Sequence, residues 1–110
     1  MKVVKSHEGI TYEAKLHYNM WGVRKFGKPE GSNGLTVSIS EFLPDGGADM
    51  SDAPIERIYY VLRGSITVED GTTKEKFVLN ENDMIYIGPG EQRSMTVNGN
   101  IAAQVMVMIA

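Results

Sequence analysis

Ile55-Glu56-Arg57-Ile58-Tyr59-Tyr60-Val61-Leu62-Arg63-Gly64, followed beyond a hairpin by Asn82-Asp83-Met84-Ile85-Tyr86-Ile87-Gly88-Pro89-Gly90, is the part of the chain whose reading decides the fold. Both runs concentrate β-branched and aromatic residues and stop at glycine or proline, the composition and punctuation of strands. Working outward, Leu35-Thr36-Val37-Ser38-Ile39-Ser40-Glu41-Phe42 alternates apolar with small polar residues, the period-two pattern of a half-buried strand. Thr11–Tyr18, Ser65–Glu69, Lys74–Leu79, Gln92–Val97 and Ile101–Ile109 continue the series. Turns are expected at Pro44-Asp45-Gly46-Gly47, Asp70-Gly71, Gly88-Pro89-Gly90 and Asn98-Gly99-Asn100; of these, Asp70-Gly71 and Asn98-Gly99 suit tight hairpins, because glycine accepts the positive φ they demand. No amphipathic helix interrupts the sequence. An all-β antiparallel sandwich or barrel follows. Lys25–Gly34 reads as a loop, either a long hairpin connection or a cover over one mouth of the barrel.

A chain of 110 residues hides roughly two-thirds of the surface its unfolded form exposes, enough for one modest core. Its net charge of −3 gives no general attraction to phosphate, so nucleic acid is not an expected partner. Arg24, Lys25 and Lys28 cluster, but read as a solvated face. The absence of cysteine removes disulfide scaffolds, thiolate catalysis and cysteine-ligated metals together. The N-terminal run Met1-Lys2-Val3-Val4-Lys5-Ser6-His7-Glu8 lacks the apolar core of a signal peptide, and no segment reaches the roughly 18 apolar residues of a membrane span. A cytoplasmic protein with no membrane partner is the expectation.

The two decisive runs resemble the signature motifs of the cupin family, G-x5-H-x-H-x3,4-E-x6-G and G-x5-P-x-G-x2-H-x3-N, with the scaffold residues kept and the ligands lost. Counting back from Gly64, the glutamate place falls on Arg57, beside Glu56. The paired histidine places fall on Met50 and Asp52, or on Ser51 and Ala53 with the shorter spacer. In the second motif Gly90 is kept, Gly88 stands where proline is expected, and the final histidine and asparagine places hold Arg93 and Val97. The chain is most similar to small single-domain bacterial cupins without the histidine set, through Gly46, Gly47, Ser51, Pro54, Glu56, Tyr59, Val61, Leu62 and Gly64. The resemblance implies one cupin domain over 1–110, a jelly-roll or double-stranded β-barrel of about nine or ten strands. Residues 1–33 would supply N-terminal strands and a loop, and 34–110 the barrel core. It also implies a homodimer, consistent with Ile55–Leu62 being apolar on both faces.

Strand alternation gives the expected site. If Tyr59 and Val61 face the interior, Arg57 does too, while Arg93, Met95 and Val97 share a face on their own strand. A one-residue slip would turn Arg57 outward and bring Glu56 in. Two inward guanidinium groups would enter a pocket lined by Met50, Tyr59, Met84 and Met95, with Met106 a further candidate. Each charge then needs a counter-charge. Asp52 or Glu56 can supply it from within the chain; alternatively a small anionic ligand is gripped by the planar forks. No metal and no other cofactor is expected. Only Asp52 and Glu56 stand near, and a neighbouring arginine repels a cation. His7 and His17 lie ten apart, without the spacing that aims two imidazoles at one ion, and read as ordinary surface or interface residues.

Two function classes follow. The first is a binding protein for a small carboxylate or sugar acid, extending to a metal-independent isomerase or lyase. In it Arg57, Arg93, Met50 and Met95 hold the ligand, and Tyr59, Asp52 or Glu56 move protons. The second is a non-enzymatic sensor or accessory domain acting through a protein partner. A lesser third is a degenerate metal cupin holding an ion through Asp52, Glu56 and water.

Overall fold

The computed structural model describes residues 1–110. Nine strands form one strongly curved sheet: β1 (Ile10–Tyr12), β2 (His17–Phe26), β3 (Thr36–Ser51), β4 (Arg57–Arg63), β5 (Ile66–Asp70), β6 (Lys76–Leu79), β7 (Met84–Ile87), β8 (Arg93–Val97) and β9 (Ala103–Ile109). The main path runs β6-β5-β8-β3-β9-β4-β7, with β2 also on β3 and β1 on β2. All pairings are antiparallel. The single helical element is one 3₁₀ turn, Lys28–Glu30, and no helix is long and apolar enough to cross a membrane.

Closure depends on β3. Its first half, Thr36–Phe42, pairs with β9; its second half pairs with β8 from Gly47. The strand thus passes from one layer of the jelly roll to the other. At the corner, Leu43–Gly46 stand opposite Asn19 alone, a bulge of the kind that bends strands between packed sheets. The expected turn at Pro44–Gly47 is therefore this corner inside a continuous strand. Pro44 and the glycines break regular pairing, but β2 runs alongside both halves and holds them in line.

Two further expectations change. Thr11–Tyr18 is not one strand: β1 ends at Tyr12, the chain turns through a left-handed Leu16 (φ 59°), and β2 begins at His17. The long β2 is hidden in the sequence because charged and polar residues dilute its apolar positions. Asp70-Gly71 does not make a two-residue turn either. Asp70 Oδ1 accepts from the Thr72 and Thr73 amides (2.8 and 3.2 Å), and Lys74 adopts the positive φ of 64°, so β6 begins only at Lys76. The expected loop over Lys25–Gly34 is the hairpin connection: β2 runs on through Phe26, and the link to β3 from Gly27 is fastened by a two-pronged Arg24–Glu30 ion pair at 2.6 and 2.8 Å.

The core lies between the layers. Phe42, Tyr59, Val61, Ile66, Val68, Leu79, Ile87, Met95, Ala103 and Val105 are buried there. On β4, Tyr59 and Val61 alternate with partly exposed Ile58, Tyr60 and Leu62, so the odd-numbered side chains face inward.

Candidate functional site

The inner face of β4 and the β1–β2 hairpin enclose a cavity of about 140 Å³. Its apolar wall is Phe42, Met95, Val105, Val107 and Ile109; its polar groups are Tyr12, His17, Ser40, Arg57 and Tyr59. Arg57 reaches it because it lies two residues before Tyr59 on the same strand face. Its Nη2 donates to the Ile55 carbonyl at 3.3 Å. Arg93, on β8, is 9% exposed. Its Nη1 donates to the Ser51 carbonyl at 3.0 Å, and its Nε and Nη2 both donate to the Tyr59 hydroxyl oxygen at 3.4 Å. Arg93 stands between two hollows, since it also lines a second space of about 200 Å³ with Asp70 and Glu91.

Neither arginine has a carboxylate partner. The ion pairs of the molecule are Arg24–Glu30, Arg63–Glu41 and Lys76–Glu69. Asp52 and Glu56 are both exposed, flanking the turn between β3 and β4, and neither lines the cavity. The carboxylates of the second hollow are committed to backbone: Glu91 accepts from the Gly88 amide at 2.6 Å, and Asp70 takes its two amides. Those amides hold the Asp70 carboxyl below its ordinary range, the Thr72 amide contributing most. Met50 is exposed, its sulfur beside Gly71, and Met84 and Met106 point to the outside of the sheet, so of the methionines proposed as lining only Met95 touches the cavity. These three lie outside because alternation and the β3 corner set their side, not their hydrophobicity.

The residues do not fit a divalent ion. At the places where the resemblance expects ligands stand Met50 and Asp52, or Ser51 and Ala53, with Arg57 and Arg93. No three histidine, cysteine, aspartate or glutamate side chains come together.

His17 is the residue that sequence reasoning missed. It opens β2, stacks on Phe42 (ring centroids 6.4 Å apart, planes at 28°) and faces the cavity. Nδ1 lies 2.6 Å from the Lys15 carbonyl oxygen. A carbonyl only accepts, so Nδ1 carries the hydrogen and Nε2 is left as the free nitrogen. Tyr12 enters by the same hairpin, its ring packed over Gly22, where a Cβ would lie 2.5 Å from Cζ. The pairing of β2 with β3, which sets His17 opposite Ala48, and of β1 with β2, which sets Tyr12 opposite Gly22, brings these residues to the cavity that Arg57 lines, and the sequence carries no sign of those pairings beyond the strand composition of Thr11–Tyr18.

No family model matches the chain, and no curated protein matches it. Solved structures do. The polyketide cyclase RemF of Streptomyces resistomycificus superposes with a TM-score of 0.88 at 17% identity, over 99% of this chain and 78% of that one. A predicted oxalate decarboxylase of Thermotoga maritima gives 0.83 at 18% identity, over 98% and 97%. A cupin-like protein of the same organism gives 0.81 at 16%, over 96% and 80%. With nine antiparallel strands in the same arrangement and so little shared sequence, the likeness is one of architecture: the chain has the cupin fold.

Proposed function

We propose that the chain binds a small carboxylate in the barrel cavity and that His17 and Tyr59 serve a metal-independent proton transfer on it, as in an isomerase or lyase. One observation carries this reading. Two guanidinium groups flank Tyr59, one buried and one half-buried, and neither meets a carboxylate of its own chain. A cation removed from water without a partner costs several kcal/mol, so an incoming anion gains what the fold leaves unmet. Arg57 offers its fork directly to the cavity. Arg93 acts from behind, its two donors occupying the Tyr59 oxygen and leaving the phenolic hydrogen free to donate to a ligand.

Size narrows the ligand. A cavity of about 150 Å³ holds one benzene molecule, so a space of about 140 Å³ suits an acid of about three to five carbons. A six-carbon sugar acid would project through the open side. In the proton transfer, Nε2 of His17 takes a proton from the carbon beside the bound carbonyl, and the Tyr59 hydroxyl donates to the oxygen on which charge develops. Those roles replace the ones expected of Asp52 and Glu56, which lie outside.

The test is a thermal-shift survey of short mono- and dicarboxylates, with inorganic phosphate and sulfate for comparison. At least one carboxylate should raise Tm in the parent protein and lose that effect in Arg57→Ala, while His17→Gln should keep binding and lose turnover. A flat response to every acid sinks the reading.

A further inference from the structure

Across the β5–β8 pairing, Asp70 and Arg93 stand directly opposite each other, so their side chains leave the same face of the sheet. Opposite charges in that position ordinarily meet. Here they do not, since none of the ion pairs of the molecule involves either residue. Each head is turned away by local bonds. The Asp70 carboxylate bends back over its own turn to accept the Thr72 and Thr73 amides, and the Arg93 guanidinium is drawn to the Ser51 carbonyl and the Tyr59 hydroxyl. Both residues line the second hollow, a space of about 200 Å³ with an apolar wall of Val68, Phe77, Ile85 and Ile87. Glu91 stands at its exposed edge and has no ion-pair partner either. Arg93 does not line the barrel cavity, which it reaches only through Tyr59. Of the five N–H groups of a guanidinium, three are engaged, which leaves one on Nη1 and one on Nη2.

We propose that this hollow is a second binding site, separate from the barrel cavity, for a free α-amino acid with a small apolar side chain. The ligand carboxylate takes the two remaining Arg93 hydrogens, its ammonium takes the Asp70 carboxylate, and its side chain lies on Phe77 and Ile85. Charge selects the class. A plain carboxylate gains Arg93 but faces the Asp70 and Glu91 carboxylates; a plain amine gains Asp70 but faces a guanidinium only 9% exposed. A zwitterion satisfies both ends and brings no net charge into the hollow, standing between two groups that the sheet register sets opposite and local bonds hold apart. Size agrees. A cavity of about 150 Å³ takes a benzene molecule, so about 200 Å³ suits about eight non-hydrogen atoms, the size of valine.

Calorimetric titration with L-valine, isovalerate (the same skeleton without the ammonium) and isobutylamine (without the carboxylate) tests this. The titrations are run on the parent protein and on Arg57→Ala, in which the barrel cavity has lost its own guanidinium. L-valine should bind both proteins equally, at one site, with a Kd of about 1 mM or tighter. On Arg57→Ala each single-charge analogue should bind at least about tenfold more weakly, as expected for the loss of one charge-assisted contact. Asp70→Asn keeps an oxygen for the two turn amides but removes the charge, and should weaken L-valine by a similar factor; Arg93→Met should abolish its binding. The analogue series alone decides the matter should Asp70→Asn not fold. No heat from L-valine with the parent protein, or isovalerate binding Arg57→Ala as tightly as L-valine does, overturns the proposal. Carboxylate binding in the barrel cavity stands or falls separately, on its dependence on Arg57.

Discussion

Arg93 gives up most of its hydration and receives in return one well-placed carbonyl and two long bonds to Tyr59. A hydrogen bond to a charged group returns about 1.5–3 kcal/mol at good geometry, and less at 3.4 Å. The buried charge is therefore a net cost that a ligand would relieve. Arg93→Met, similar in length and apolar, should unfold at no lower urea concentration than the parent protein and should lose any carboxylate-induced rise in Tm. A loss of more than about 3 kcal/mol would make Arg93 a structural bridge instead. Asp70 allows a separate test at the same scale. Its folded-state pKa is depressed by the Thr72 and Thr73 amides, so its stabilisation is present above the unfolded-state pKa and fades as pH falls through the folded one. Asp70→Ala should lower Tm at neutral pH, and the two melting curves should converge under acid. A gap that stays constant with pH would show that the carboxylate charge contributes nothing.

Among the elements, the corner of β3 determines whether the barrel closes. Gly46 is buried there, and a Cβ would lie 2.5 Å from the Asn19 carbonyl oxygen and 3.0 Å from that of Leu43. Both obstacles are backbone, which cannot swing aside as a side chain does. Gly46→Ala should cost roughly 1–3 kcal/mol in urea unfolding. Gly34, in the β2–β3 connection, has nothing within 4 Å of its would-be Cβ, so Gly34→Ala should change stability by no more than about 0.5 kcal/mol. Equal effects at the two sites would mean that the corner is not tightly packed. The β1–β2 hairpin contributes in another way. Its residues Tyr12, Ala14 and His17 complete the cavity, so it joins the N-terminal segment to the Arg57 and Tyr59 face of β4.

For the whole molecule, stability rests on the core between the two layers, with no cluster of metal-binding side chains to add to it. Incubation with a strong chelator should leave Tm unchanged; a drop of several degrees would point to an ion holding the fold. How much of this is legible in the chain follows from the range of each signal. Alternation in Leu35–Phe42 and Gln92–Val97 and the apolar runs around Tyr59 and Ile85 are local, because a strand shows its faces within a few residues, and they carry the all-β class and the common face of Arg93 and Met95. The motif glycines point to the barrel. Long-range pairing has no local signature. The sequence does not tell that β3 turns a corner where Pro44–Gly47 looks like a hairpin, nor that His17 shares a cavity with Arg57. Asp52 and Glu56 also look as able as any residue to neutralise an arginine. Which charges meet depends on distances between strands far apart in sequence, so only the folded barrel decides that both guanidinium groups are left without a carboxylate partner.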